Sequence, residues 1–192
     1  MTPGVEDVVE EIVGACRSMV GLPYDGEPVD QLEHALQCAA LARAGHADDP
    51  EFVVACLLHD IARAPAVAGI AFDGPGEHHG ATGARWLEPR VGARVAWLAE
   101  QHVPAKRYLV ATDPQYRARL TEVSERTLRE QGGPMSRSEV DAFRANPDWR
   151  LAVSLREIDD RGKVPGAVVP GLDSYRSELS HVAAAALAQR SS

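Results

Sequence analysis

His59 and Asp60 stand side by side at the end of the most apolar stretch of the chain, Phe52-Val-Val-Ala-Cys-Leu-Leu-His-Asp-Ile61. An imidazole and a carboxylate are costly inside such a run unless something compensates them, and a bound metal does so. His34 lies upstream, His78, His79 and His102 lie downstream, and the acidic pair Asp159-Asp160 closes the series. Imidazole is a borderline ligand for Fe, Mn, Zn or Ni, and a carboxylate suits the harder end of that range. His34, His59, Asp60 and one of the acidic pair make one candidate ligand set. His79 and His102, with Asp60 bridging through its second oxygen, make another, as in paired-metal centres whose ions lie roughly 3.5–4 Å apart. Any one of these histidines alone reads better as an ordinary core or surface residue. Together they do not, because most of the chain's 7 histidines would then be accidental. His46, in Gly45-His-Ala-Asp-Asp49, and His181, near the C-terminus, are left to the ordinary reading.

The elements that must position these groups read as helices throughout. Val5, Val8, Val9, Ile12, Val13, Cys16 and Val20 recur at helical spacing and predict an opening amphipathic helix. A loop, 21–28, carries Tyr24 and Glu27, and a helix over 29–44 ends at Gly45, in the position glycine favours. On that helix Gln31, His34, Cys38 and Leu41 share a face. Residues 51–62 form a helix apolar nearly all round and therefore buried. A Gly-, Pro- and Ala-rich segment, 64–77, reads as a loop able to cover a site. Helices over 79–87 and 91–102 meet at a turn at Pro89. Asp113-Pro114 and Asn146-Pro147 read as caps with proline in the first helical position. Ser136-Arg-Ser-Glu139 is a capping box. Residues 149–160 form a helix that ends in the acidic pair, and Asp173 caps the last one. Strand-like alternation is absent, so the expectation is a single all-α domain spanning residues 1–192.

A chain of 192 residues can bury a core without staples. Cys16, Cys38 and Cys56 all fall within apolar helical patterns and read as reduced core residues of a cytoplasmic protein. No apolar run approaches a membrane span, and no basic n-region opens the chain. The formal charge of −8 argues against a nucleic-acid scaffold. The cations that matter are local ones: Lys106, Arg107, Arg156, Arg161 and Lys163.

Several segments carry a resemblance: Tyr24-Asp-Gly-Glu27, Gln31-Leu-Glu-His34-Ala-Leu-Gln37, Leu57-Leu-His-Asp-Ile61 and His79-Gly-Ala-Thr-Gly-Ala-Arg-Trp86. To these add His102-Val-Pro-Ala-Lys-Arg-Tyr108, Gln131-Gly-Gly-Pro-Met135 and Arg156-Glu-Ile-Asp-Asp160. The chain resembles the HD-domain superfamily, and within it the branch of mixed-valence di-iron oxygenases. Over nearly its full length it looks like the phosphonate-degrading type, the 2-amino-1-hydroxyethylphosphonate dioxygenases. The lone His-Asp doublet is weak; His102-x-x-x-Lys106-Arg-Tyr together with Gln-Gly-Gly-Pro-Met is far more specific.

The resemblance implies an HD-domain helical bundle holding two Fe ions in the Fe(II)/Fe(III) state, with other divalent metals able to replace them on isolation. It implies O2-dependent cleavage of the C–P bond of a small 1-hydroxyphosphonate, giving a carboxylate and phosphate. By position, His34, His59, Asp60 and Asp159 would hold the first iron, leaving Asp160 as a neighbour of the ligand. Asp60, His79 and His102 would hold the second, with Tyr24 as a ligand displaced when substrate arrives. His79 is preferred to His78 because the family's ligand stands four residues before a glycine, here Gly83. Glu27 would meet the substrate's amino end, and Lys106, Ser124, Gln131 and Arg156 would grip the phosphonate. One position departs: Arg63 stands where the family commonly has a substrate-contacting histidine, so the substrate's tail need not be the simple aminoethyl one. The alternatives are a two-metal HD phosphohydrolase acting on a small phosphomonoester or nucleotide, and a non-catalytic metal-binding module.

Overall fold

A computed structural model of the chain describes residues 3–24, 26–68 and 79–190. Among them the protein is an all-α bundle, with one isolated bridge between Pro23 and Asp30 as the extended element. The helices are α1 (Val5–Arg17), α2 (Gln31–Gly45), α3 (Pro50–Leu58), α4 (Pro65–Ala68), α5 (His79–Val91), α6 (Ala93–Glu100), α7 (His102–Thr112), α8 (Pro114–Arg117), α9 (Glu122–Glu130), α10 (Arg137–Ala145), α11 (Trp149–Arg161) and α12 (Arg176–Arg190).

The centre of the bundle is α3. Phe52 to Leu58 are all buried, as the run without a polar face requires. Around it pack α2, α6, α11 and α12, while α5 lies against α6 and α12, and α7 lies against α11. The three cysteines are buried and unpaired. No helix among the described residues is long and apolar enough to cross a membrane.

Several boundaries differ from the sequence reading. The opening helix stops at Arg17, and Val20 is exposed rather than part of its apolar face. Helix α2 starts at Gln31, because Asp30 and Glu33 form a capping box that fixes the first turn there. Helix α3 ends at Leu58 instead of running to residue 62: His59 and Asp60 form a turn, followed by a 3₁₀ turn at Ile61–Arg63. The break frees the Cys56 carbonyl, which accepts a hydrogen bond from His59 Nδ1. Helix α5 runs through Pro89 and turns at Gly92, whose φ of 87° suits glycine. A proline in the last turn forfeits one backbone bond and is tolerated there. His102 opens α7 rather than closing α6.

Asp113 does cap α8, and Ser136 with Glu139 does form the capping box of α10. Asn146 instead accepts from the Asp148 amide in an Asx turn, so α11 starts at Trp149. Asp173 sits inside a 3₁₀ turn, Leu172–Tyr175, where its carboxylate pairs with Arg17 and Arg176 rather than capping α12. Of the expected covering loop, Pro65–Ala68 is a single helical turn, and residues 69–77 lie outside the described ones, as does His78.

Candidate metal and substrate site

Four histidines from four places in the bundle converge, and the backbone sets how each ring is turned. His59 follows the last turn of α3, and its Nδ1 donates to the Cys56 carbonyl at 2.9 Å. His102 follows the end of α6 in the same way, with Nδ1 donating to the Ala99 carbonyl at 2.7 Å. Each uses a carbonyl that the helix end leaves unpaired. His34 sits inside α2, and its Nδ1 donates at 2.8 Å to the carbonyl of Gly162, the residue that ends α11. A carbonyl only accepts, so each of these Nδ1 atoms carries its proton. In a neutral ring Nε2 is then a bare lone pair.

The Nε2 atoms converge in two pairs. His34 Nε2 lies 3.2 Å from His59 Nε2, and His79 Nε2 lies 3.0 Å from His102 Nε2. Burial pushes His59 below its usual value and His102 down to about 3, which keeps both rings neutral. With Nδ1 holding the ring proton, such Nε2 atoms can each give a lone pair to a cation placed between them. The carboxylates stand where such a cation needs them: Asp159 Oδ1 is 3.3 Å from His34 Nε2 and 3.9 Å from His59 Nε2. Asp60 turns Oδ2 toward His59 Nε2 at 3.5 Å. Its Oδ1 faces His79 Nε2 at 3.1 Å and His102 Nε2 at 3.7 Å. Yet Oδ1 is buried and accepts no aligned hydrogen bond. A buried carboxylate oxygen without an aligned donor, surrounded by imidazole nitrogens, matches the donor set of a metal centre.

Cys38 is also close, but its sulfur is 3.8 Å from Nδ1 and 3.7 Å from Nε2 of His34. Equal distances to both nitrogens place it beside the ring rather than on the Nε2 axis, and burial pushes its thiol up. We read Cys38 as packing against the ligand.

Arg156 fixes Asp159. Its Nη1 donates to Asp159 Oδ2 at 2.6 Å, leaving Oδ1 turned toward the histidines. The rest of the guanidinium is held by Asp160 and by the Tyr116 hydroxyl, 2.9 Å from Nε. Tyr116 in turn donates to Asp160 Oδ2 at 2.5 Å. Sequence reasoning missed Tyr116, which lies far from the motif it supports.

Tyr24 and Glu27 come from a turn closed by the Glu27 amide donating to the Tyr24 carbonyl at 2.7 Å, with Gly26 at φ 88°. The Tyr24 ring stacks on His34, centroids 4.2 Å apart, and its hydroxyl donates to Asp159 Oδ1 at 3.2 Å. Above the histidines lies a cavity of about 60 Å³, lined by every expected site residue except His34 and His59, which lie beneath it. Lys163, one of the cations singled out in the sequence, completes its wall with Val103, Val123 and Thr127, which were not foreseen. Lys106 donates to Thr127 Oγ1 at 2.8 Å, and burial, reinforced by the charge of Arg156, lowers its ammonium to about 8. Ser124 lies in the first turn of α9, and Gln131 ends that helix. The Gly-Gly that follows takes φ of 96° and 73°, which lets Gly133 bond back to Leu128 and accept from Arg107. His46 packs edge-on against Phe52 and His181 is exposed, as the ordinary reading had them.

Gly162 has no room for a side chain: a Cβ there would lie 2.6 Å from Cys38 Sγ and 3.4 Å from His34 Nδ1. Gly162→Ala is therefore expected to push Cys38 and the His34 ring aside and weaken metal binding about 10- to 100-fold, the range for losing a ligand's orienting partner. A metal titration followed by calorimetry checks it, and wild-type affinity would refute the orienting role.

The class these features define is an all-α protein with a buried histidine–carboxylate centre able to hold metal. No family model matches the chain. It is 39% identical over 168 residues, 83% of this chain and 80% of the relative, to a hydroxymethylphosphonate dioxygenase of Gimesia maris. To a 1-hydroxy-2-(trimethylamino)ethylphosphonate dioxygenase (glycine-betaine-forming) of Leisingera caerulea it is 37% identical over 159 residues, 82% of this chain and 81% of the relative. An uncharacterized protein of Acanthamoeba polyphaga mimivirus is 30% identical over 173 residues, 88% of this chain and 78% of that one. The chain belongs to the hydroxyphosphonate dioxygenase family.

Proposed function

We propose that this protein is a non-haem di-iron dioxygenase that cleaves the C–P bond of a small 1-hydroxyphosphonate with O2. The reaction balances without an added reductant: R–CH(OH)–PO₃H₂ plus O₂ gives R–COOH plus H₃PO₄. The named activities of the relatives support the reaction class. The observation that carries the metal centre is the convergence of the Nε2 atoms of His34 and His59 on Asp159 and Asp60, with each Nδ1 held by a backbone carbonyl.

His34, His59, Asp60 and Asp159 would hold one iron, and Asp60, His79 and His102 the other. When bound, a mixed-valence Fe(II)/Fe(III) pair supplies the redox capacity that the protein's own side chains lack. Lys106 stands one helical turn past His102, so the ligand and a cation for the phosphonate share a face. Gln131 has a buried Oε1 without a hydrogen-bond partner, and its amide can turn toward the same anion. Ser124 adds a hydroxyl. Arg156 acts mainly by holding Asp159 and adds positive charge at the cavity wall. Tyr24, whose ring covers His34, would also ligate an iron through its phenolate in the resting protein and withdraw when substrate arrives.

Iron-loaded protein is expected to release phosphate from hydroxymethylphosphonate in air and to be silent without oxygen. Anaerobic turnover of phosphomonoesters would favour a hydrolase instead. In the oxidised protein Tyr24→Phe is expected to remove a phenolate-to-iron absorption band and to raise O2 use without substrate. Unchanged spectra and unchanged uncoupled O2 use would rule out the covering role.

A further inference from the structure

Glu27 is the carboxylate on the cavity wall that stands apart from the two histidine clusters. It is the natural seat for a cation on the substrate's tail, and it is taken. Lys163 Nζ lies 3.4 Å from Glu27 Oε1, with the two side chains only 11% and 12% exposed. The Thr121 hydroxyl donates to the same oxygen at 3.2 Å. Lys163 also sits over the Tyr24 ring, 5.4 Å from its centroid, so it holds the Tyr24–Glu27 turn from two sides. Arg63 lines the same cavity from its exposed edge, with Lys106 and Arg156 deeper inside.

We infer that this site selects 1-hydroxyphosphonates whose tail carries no positive charge, with Lys163 as the selecting residue. A tail ammonium entering here would have to displace Lys163 from Glu27 and remain beside it, a like-charge juxtaposition that rejects the wrong ligand. A hydroxyl, a hydrogen or a methyl group leaves the Glu27–Lys163 pair intact. Selection at Glu27 rests on the hydroxyphosphonate oxygenase reading but adds a specificity that the reading leaves open.

The test uses two inert ligands of nearly equal shape, propylphosphonate and 2-aminoethylphosphonate, titrated calorimetrically into the metal-loaded full-length chain without oxygen. Wild type is expected to bind propylphosphonate at least about tenfold more tightly. Lys163→Met is expected to erase or reverse that preference, Lys163→Arg to keep it, and Glu27→Gln added to Lys163→Met to remove the gain for the amine. Equal or tighter binding of the amine by wild type, or an unchanged ratio in Lys163→Met, overturns the inference and leaves the oxygenase reading standing. No binding of either phosphonate overturns both. Intact selectivity in a protein that releases no phosphate from hydroxymethylphosphonate in air sinks only the oxygenase reading.

Discussion

Asp60→Ala is expected to leave the protein with less than one equivalent of metal and no measurable turnover. The two oxygens of this one side chain face different clusters, Oδ2 toward His59 and Oδ1 toward His79 and His102. No other carboxylate among the described cavity residues reaches both. Its loss removes a ligand from each proposed metal and the negative charge that offsets their mutual repulsion. His79→Ala, by contrast, is expected to keep about one equivalent, because His34, His59, Asp60 and Asp159 remain. Elemental analysis of both variants separates the cases, and two full equivalents in Asp60→Ala would refute the bridging assignment. A fold control comes with it. Wild-type protein should lose about 4 kcal/mol of stability on chelation if metal is supplied roughly 1,000-fold above its dissociation constant. Asp60→Ala should be as stable with added metal as without it.

Lys106→Ala is expected to raise KM for the phosphonate about 10- to 100-fold while metal content stays at the wild-type level. A charge-assisted hydrogen bond contributes about 1.5–3 kcal/mol, and each 1.4 kcal/mol is about a factor of ten. The metal should survive because the Lys106 ammonium bonds to Thr127 rather than to a ligand. Arg156→Ala should behave differently. Its guanidinium holds Asp159 Oδ2, so metal should fall together with affinity. A pH series gives Lys106 a second signature. Burial holds its ammonium at about 8, and only the charged form attracts the anion. Affinity is therefore full below about 8 and falls as the pH rises through it, with the bound anion itself moving the midpoint upward. Lys106→Ala should flatten that limb of the profile. A variant that loses metal with unchanged affinity would show that Lys106 supports the centre instead of the substrate.

Residue types and spacing by themselves determined the helical class, because 3.6-residue periodicity is a local property written into each segment. They also determined which residues to gather: Ser136 with Glu139 and Asp113 before Pro114 cap helices as their chemistry demands, and the histidines and aspartates stand out as costly groups beside apolar runs. Tertiary structure decided what those groups do. The helix that periodicity carries to residue 62 breaks at Leu58, which frees a carbonyl to set the tautomer of His59. His34 takes its orientation from Gly162, 128 residues away in the chain. Asp159 is aimed by Arg156, and Arg156 by Tyr116, 40 residues before it. Glu27 reads in sequence as a carboxylate open to a substrate cation, and in the fold it is already paired with Lys163 across 136 residues. Periodicity reports which face of a helix is buried. It carries no information on which distant carbonyl or charge will meet that face, because that depends on how the helices cross.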